Sequence, residues 1–368
     1  MNKHITTVIT ILLLVCLFGC SVRQAQSTEP LPPPQETELP QVTPPPSSNL
    51  VPEETPAQPA ETEEPSSLMD STIYLTVSEI NFSIGGESEN IYVGTIPAEI
   101  ITWESSDENI VTVENGVLTA AGVGTATVFA EYGSQKEEVK VSCLAENSEE
   151  LELLDMSVLR SPKRMPPVIE NPPLDFFDDA VMVGDSITHI MFGYENTNNM
   201  LGNVTFLTRG GSGINGFVRY YWNIYYRGAE MKLEEALALT GKNKVIFMLG
   251  QNDLGYRTVD QTFESWDILL ERVITCCPDI EIYLQSCVPE WIDPSESNEK
   301  NEKIDEYNIR LKAYAEEHGY HFIDVAPYAE DHLNRMPDAY NLDGGIHLNE
   351  PGCVAWMNLL RAYAQWQE

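Results

Sequence analysis

The residues that could do chemistry lie in three places along the chain. The apolar run Val181-Met182-Val183 breaks at Gly184 and leads into Asp185-Ser186. A second apolar run, Val245-Ile-Phe-Met-Leu249, ends in Gly250-Gln251-Asn252-Asp253. Asp343-Gly344-Gly345-Ile346-His347 comes late, about half a chain from the serine. A serine hydroxyl becomes a competent nucleophile only when a base takes its proton during attack, and histidine is the usual base. A serine and a histidine so far apart meet only through folding. The chemistry this pair suggests is acyl transfer from an ester.

Bland readings compete for each residue. Ser186 could simply cap a helix starting near Ile187, since serine is a favoured N-cap. Asn252 could be a turn residue after a strand. His347 could be buried or on the surface without a role. The other histidines are poorer bases: His189 lies one helical turn from Ser186, and His318, His321 and His332 fall near a helix end and a strand without suitable flanks. The late position of His347, followed by Leu348-Asn349-Glu350-Pro351-Gly352, favours it.

Thr208-Arg-Gly-Gly-Ser-Gly213 adds a glycine turn between the first two blocks. Gly-Asp-Ser, the glycine turn, Gly-X-Asn-Asp and the late Asp/His block, in this order, resemble the SGNH hydrolase family, also called GDSL esterases. The resemblance covers residues 176–368. It implies that Ser186 is the nucleophile and His347 the general base. The oxyanion of the tetrahedral intermediate would then be held by the backbone N–H groups of Ser186 and Gly213 and by the side-chain amide of Asn252. Glycine at 213 suits a backbone that must approach a ligand closely. Family members usually carry Asp-X-X-His, whereas Asp343 precedes His347 by four residues and Gly344 stands at the usual aspartate position. Either the two glycines form a bulge that brings Asp343 to the imidazole, completing a triad, or a backbone carbonyl orients His347 in a dyad. The first arrangement is favoured.

The elements that must position these groups follow from hydrophobic periodicity. Ala180–Val183, Val204–Leu207, Val245–Leu249, Ile280–Ser286 and His321–Val325 read as strands, and Phe263–Thr275, Lys303–Glu317 and Val354–Gln365 as amphipathic helices. Ile304, Tyr307, Leu311 and Tyr314 recur at helical spacing and are expected in the core. Strands alternating with helices predict a parallel sheet with active-site loops at the carboxyl ends of its strands. The resemblance implies a three-layer, flavodoxin-like α/β fold.

Upstream, the chain changes character several times. A weakly positive start precedes an apolar stretch over Ile9–Phe18, too short for a stable membrane span and typical of a signal peptide. Leu17-Phe18-Gly19-Cys20 resembles the lipobox of bacterial lipoproteins, which implies cleavage before Cys20, lipidation of that cysteine and anchoring on the extracytoplasmic face of the cell membrane. Residues 21–70 hold twelve of the 24 prolines amid Glu, Thr, Ser and Gln, a composition that cannot bury a core and reads as a disordered spacer. Residues 71–145 show short alternating strands with Gly, Asn and Pro turns, expected as an all-β sandwich. The Thr-Trp103-X-Ser-Ser, Val-Thr-Val-X-X-Gly and Gly-X-Gly-Thr-Ala-Thr series resembles the group 2 bacterial immunoglobulin-like domain. Trp103 is read as a core residue. The domain serves as a spacer or contacts a cell-wall or surface glycan. Residues 146–175 return to an acidic, proline-containing linker.

Composition sets the remaining bounds. With 57 acidic against 21 basic residues the net charge is −36, which argues against nucleic acid as a partner. Beyond Cys16 and Cys20, five cysteines remain. Export permits disulfides, and Cys276 or Cys277 could pair with Cys287, but their places at a helix end and on a strand favour free thiols. No His/Cys cluster has zinc spacing, so neither a metal nor a cofactor is expected. The expected activity is that of a surface-tethered serine esterase removing O-acetyl groups from carbohydrate. A lipase or lysophospholipase is the alternative within enzymes, and a surface-binding or adhesion protein with an inactive hydrolase domain the alternative outside them.

Overall fold

The computed structural model describes residues 72–86, 88–144, 156–220 and 222–367. The stretches read as a signal peptide and a proline-rich spacer, Cys20 and the first part of the expected second linker lie outside the described residues.

The N-terminal part is strand-rich, with β1 (Tyr74–Leu75), β2 (Glu79–Ser83), β3 (Glu89–Asn90), β4 (Tyr92–Val93), β5 (Thr102–Ser105), β6 (Val111–Glu114), β7 (Val117–Ala120), β8 (Gly124–Tyr132) and β9 (Gln135–Leu144). β8 and β9 form a long antiparallel hairpin, flanked by β5 on one side and by β2 on the other. β3, β7 and β6 form a second, three-stranded sheet, and β1 pairs with β4. Strand alternation puts Ala126, Val128 and Ala130 of β8 with Val139, Val141 and Cys143 of β9 in the core. Trp103 is half-buried, edge-on to Tyr92 at 5.8 Å, and its indole N–H donates to Ala98 O at 3.0 Å.

Within the stretch read as linker, a short helix, α1 (Met156–Leu159), precedes β10 (Arg164–Met165), which adds to the edge of β2. The catalytic part then runs α2 (Asp175–Asp178), β11 (Ala180–Gly184), α3 (Ser186–Asn198), β12 (Thr205–Thr208), α4 (Ile214–Arg219), the hairpin β13 (Ile224–Tyr226) and β14 (Ala229–Met231), α5 (Leu233–Thr240), β15 (Lys244–Met248), α6 (Gln251–Leu254), α7 (Val259–Cys276), β16 (Glu281–Gln285), α8 (Glu299–His318), β17 (His321–Ile323) and α9 (Glu350–Trp366). Its five parallel strands lie in the order β12-β11-β15-β16-β17. In chain order this is 2-1-3-4-5, the doubly wound arrangement.

The side-chain pattern of β11 shows why the fold has three layers. All five of its residues are buried. Val181 and Val183 point into a cluster with residues of α4, α5, α7 and α8, while Ala180 and Met182 point into the opposite one, with residues of α3 and α9. β15 divides likewise, Val245 and Phe247 on one side and Ile246 and Met248 on the other. A strand apolar on both faces must be covered on both, and helices do so here.

Candidate active site

Three loops at the carboxyl ends of adjacent strands bring the chemistry together. β11 ends at Gly184, where an added Cβ would stand 1.9 Å from Thr188 Oγ1, so only glycine lets the strand turn directly into α3. The helix cap is Asp185, whose carboxylate oxygen Oδ1 accepts the Ile187 N–H at 2.8 Å. Ser186 is therefore not spent on capping, and its Oγ lies 2.9 Å from His347 Nε2.

His347 is carried by the loop before α9. Asn341 and Leu348 form an isolated bridge, and the Leu342 N–H donates to His347 O at 3.0 Å, closing the intervening residues into a tight turn. Gly344 adopts a φ of 76°, a conformation that glycine takes without cost, and its N–H donates to Asn341 Oδ1. The Trp291 N–H holds Gly345 O at 2.8 Å from outside. The extra residue relative to Asp-X-X-His is absorbed in this turn. Asp343 Oδ2 lies 2.5 Å from His347 Nδ1. Partial burial raises the Asp343 carboxyl, but the hydrogen bond and charge of His347 outweigh it and leave the pKa below its ordinary value. An ionised Asp343 at Nδ1 fixes the proton there and leaves Nε2 free to accept from Ser186.

The donors expected for the oxyanion sit on the other two loops. β12 leads to Gly213, which caps α4. A Cβ here would meet Asp253 Oδ2 at 2.3 Å, because that carboxylate accepts the Ile214 and Asn215 N–H groups at 2.7 and 3.0 Å. Burial raises the pKa of Asp253, and those two bonds act against it. After β15, Gly250 turns the chain at a φ of 123° close against the Tyr307 hydroxyl and leads into α6. Asn252 Nδ2, on α6, donates to Asp185 Oδ2 at 2.7 Å and to Ser212 O at 3.1 Å. The neighbour on either side of the Asn252 amide thus belongs to the Ser186 loop or the Gly213 loop.

Ser186, His347 and Asp343 form a continuous hydrogen-bonded line, and Asn252 and Gly213 lie on the two adjoining loops. The sequence reading assigned no role to Asp185 or Asp253. Both are wholly buried, and each ties two loops together. An aspartate directly before a helix is a recognisable cap signal, but the partners across the fold leave no local trace. Cys143, Cys276, Cys277, Cys287 and Cys353 are free thiols. The Cys276 or Cys277 bridge to Cys287 that export would permit is not formed. Cys287, two residues beyond β16, is buried, donates weakly to Leu249 O, and is kept protonated by burial and by the nearby Asp185 charge.

Residues 182–354 match the model of the GDSL-like Lipase/Acylhydrolase family. No curated protein matches the sequence. Among solved structures, the chain is similar to a GDSL-like lipase from Bacteroides thetaiotaomicron, with 18% identity over 54% of this chain and 93% of that one and a TM-score of 0.43. It is also similar to a carbohydrate esterase family 3 protein from Talaromyces cellulolyticus, with 17% identity over 49% of this chain and 93% of that one and a TM-score of 0.37. Neither likeness bears on the substrate.

Proposed function

We propose that this chain, an ester hydrolase of the GDSL-like type, is a lipid-anchored enzyme on the extracytoplasmic face of the cell membrane that removes O-acetyl groups from carbohydrate through an acyl-enzyme. The observation that carries the mechanism is the line Asp343 Oδ2, His347 Nδ1, His347 Nε2, Ser186 Oγ, with contacts of 2.5 and 2.9 Å. As Ser186 Oγ attacks the ester carbonyl, His347 Nε2 takes its proton and the carbonyl π electrons move onto oxygen. The N–H groups of Ser186 and Gly213 and the Asn252 amide stabilise that oxyanion. Collapse breaks the bond to the alkoxy oxygen, which leaves with the proton from His347. Water then attacks the acyl-serine by the same route, releasing the acid and restoring Ser186.

Several features support the substrate class and location. Tyr220 at the end of α4 and Tyr256, four residues beyond Asn252, are 64% and 61% exposed, and Trp222 lies 6.4 Å from Tyr220 between ring centres. These aromatic faces flank the loops that carry the oxyanion donors, and such faces pack well against the C–H face of a sugar ring while their hydroxyl or N–H meets its polar edge. The lipobox-like Leu17-Phe18-Gly19-Cys20 and the proline-rich spacer support tethering at a surface. In this reading the strand-rich residues 72–144 are an immunoglobulin-like sandwich that holds the enzyme away from the membrane or contacts a glycan.

The test is aryl-acetate hydrolysis by Ser186→Ala together with thermal melting. Turnover should vanish with the melting temperature unchanged. Retention of more than about a tenth of wild-type turnover would remove Ser186 from the nucleophile's role, since loss of such a residue costs on the order of 10⁶-fold. Substrate class is tested by a panel of acetylated glycans against esters of increasing acyl length. Acetylated glycans should give the highest kcat/KM, and a preference for long acyl chains would make the enzyme a lipase.

A further inference from the structure

Asn252 serves the oxyanion only if its side chain presents nitrogen, not oxygen, to the reaction centre. A primary amide has two orientations related by a half-turn, nearly equal in shape and opposite in hydrogen bonding. Two acceptors surround Nδ2 here, Asp185 Oδ2 at 2.7 Å and Ser212 O at 3.1 Å. A flipped amide would set its oxygen against the lone pairs of both. The bond to Asp185 is the shorter and is made to a charged acceptor, the stronger kind. The longer bond, to a neutral carbonyl, is the weaker of the two.

Asp185 has a second demand on it. Its Oδ1 accepts the Ile187 N–H at 2.8 Å and so starts the helix whose first residue is Ser186. Two donors from two elements therefore converge on one side chain that is 0% exposed. Asparagine or serine caps a helix as well as aspartate does, but each offers only one acceptor oxygen in this geometry. A carboxylate offers two. The need for aspartate arises from neither demand alone but from both together.

We propose that Asp185 is a positioning residue, whose carboxylate locks the Asn252 amide with its nitrogen toward the reaction centre while capping the helix that presents Ser186. This rests on the reading of Asn252 as an oxyanion donor. One side chain thereby sets the nucleophile and an oxyanion donor, on neighbouring strands, in register. Its carboxyl is pushed up to about 6 by burial, opposed by the bonds from Ile187 and Asn252 and the charge of His347, so it is ionised at neutral pH as the double acceptance requires.

Asp185→Asn keeps size and one acceptor, and is the variant to measure. On aryl acetate, kcat should fall on the order of 100- to 1000-fold, as for loss of one oxyanion donor, with KM within about threefold. In an Asn252→Ala background the same Asp185→Asn change should alter kcat by less than about threefold, because its route of action is gone. Asp185→Ser, which caps the helix but is too short to reach Asn252, replaces Asp185→Asn in this cycle if the latter melts below the assay temperature. Multiplicative losses in the double variant, or an Asp185→Asn enzyme with more than about a third of wild-type kcat, would overturn the proposal. An Asn252→Ala enzyme with wild-type kcat would instead remove Asn252 from the oxyanion site, and the proposal with it. An impaired Asn252→Ala beside an unimpaired Asp185→Asn fails the proposal alone.

Discussion

At the scale of single residues, the site is held by carboxylates that serve two masters. Asp253 binds two N–H groups at the start of α4 and by its position excludes any side chain at 213, where a Cβ would fall 2.3 Å from Oδ2. Gly213→Ala should therefore push the Gly213 N–H out of line and lower kcat on the order of 100- to 1000-fold, as measured on aryl acetate. Asp343 fixes the His347 proton on Nδ1. Asp343→Asn should lower kcat on the order of 10⁴-fold, the loss seen when the equivalent carboxylate of serine proteases is amidated, while His347→Ala removes the base altogether. An Asp343→Asn enzyme within about threefold of wild type beside an inactive His347→Ala would leave a dyad. Asp185 also makes stability depend on pH. Its folded pKa, about 6, lies above the unfolded carboxylate value, so its stabilising protonation is fully present below about pH 4 and lost as pH rises through 6. The groups acting on it are His347 and the Asn252 amide, with the buried Cys287 thiol nearby. The stability gap between wild type and Asp185→Asn should shift by about 3 kcal/mol against wild type between pH 4 and 7, measured by denaturant unfolding. A gap that does not move with pH would show that Asp185 does not titrate in this window.

At the scale of elements, the five core strands were legible because each is a short apolar run ending in a turn residue, and the structure places each within a residue or two of expectation. Helix starts were less so. The helix expected from Phe263 begins at Val259, behind a Thr258/Gln261 capping box, and the one expected from Val354 begins at Glu350, behind the Asn349 cap. Periodicity reads the apolar face and misses a first turn built of caps and polar residues. β9 opens on Gln-Lys-Glu-Glu, and β13 and β14 are three residues each, so neither shows a hydrophobic pattern on its own. In the site, Ser186 and Asn252 were legible as motifs at strand ends, and His347 as part of a late Asp/His block. The placement of Asp343 was ambiguous because it depends on the backbone of Gly344, and the role of Asp185 was invisible because its partner lies 67 residues away. Gly344 has no atom within 4 Å of a virtual Cβ, so Gly344→Ala tests the backbone alone. It should cost about 1–2 kcal/mol of stability and lower kcat as the Asp343 carboxylate shifts, checked by melting and turnover.

At the scale of the molecule, the strand-rich part and the catalytic part share one apolar cluster that runs from Ile73 and Val141 to Trp356 and Leu360. β10 pairs with β2, the Tyr328 hydroxyl donates to Thr76 O at 2.9 Å, and Arg164 pairs with Glu89 at 2.6 Å. Residues 72–367 should accordingly unfold in a single calorimetric transition, and two resolved transitions would show that the shared cluster does not couple them. The proposed tether is tested separately. Cys20→Ala should release the protein from membranes or leave it unprocessed, and equal membrane attachment with a mature N-terminus elsewhere would remove the anchor from the account.

The central claim is that Ser186 is the nucleophile activated by His347. Its most direct test is reaction of the enzyme with a fluorophosphonate, followed by mass spectrometry of the peptides. A single adduct on Ser186, formed in the wild type and strongly suppressed in His347→Ala, is the predicted result. An adduct on another residue, or labelling of Ser186→Ala at the wild-type rate, would contradict it.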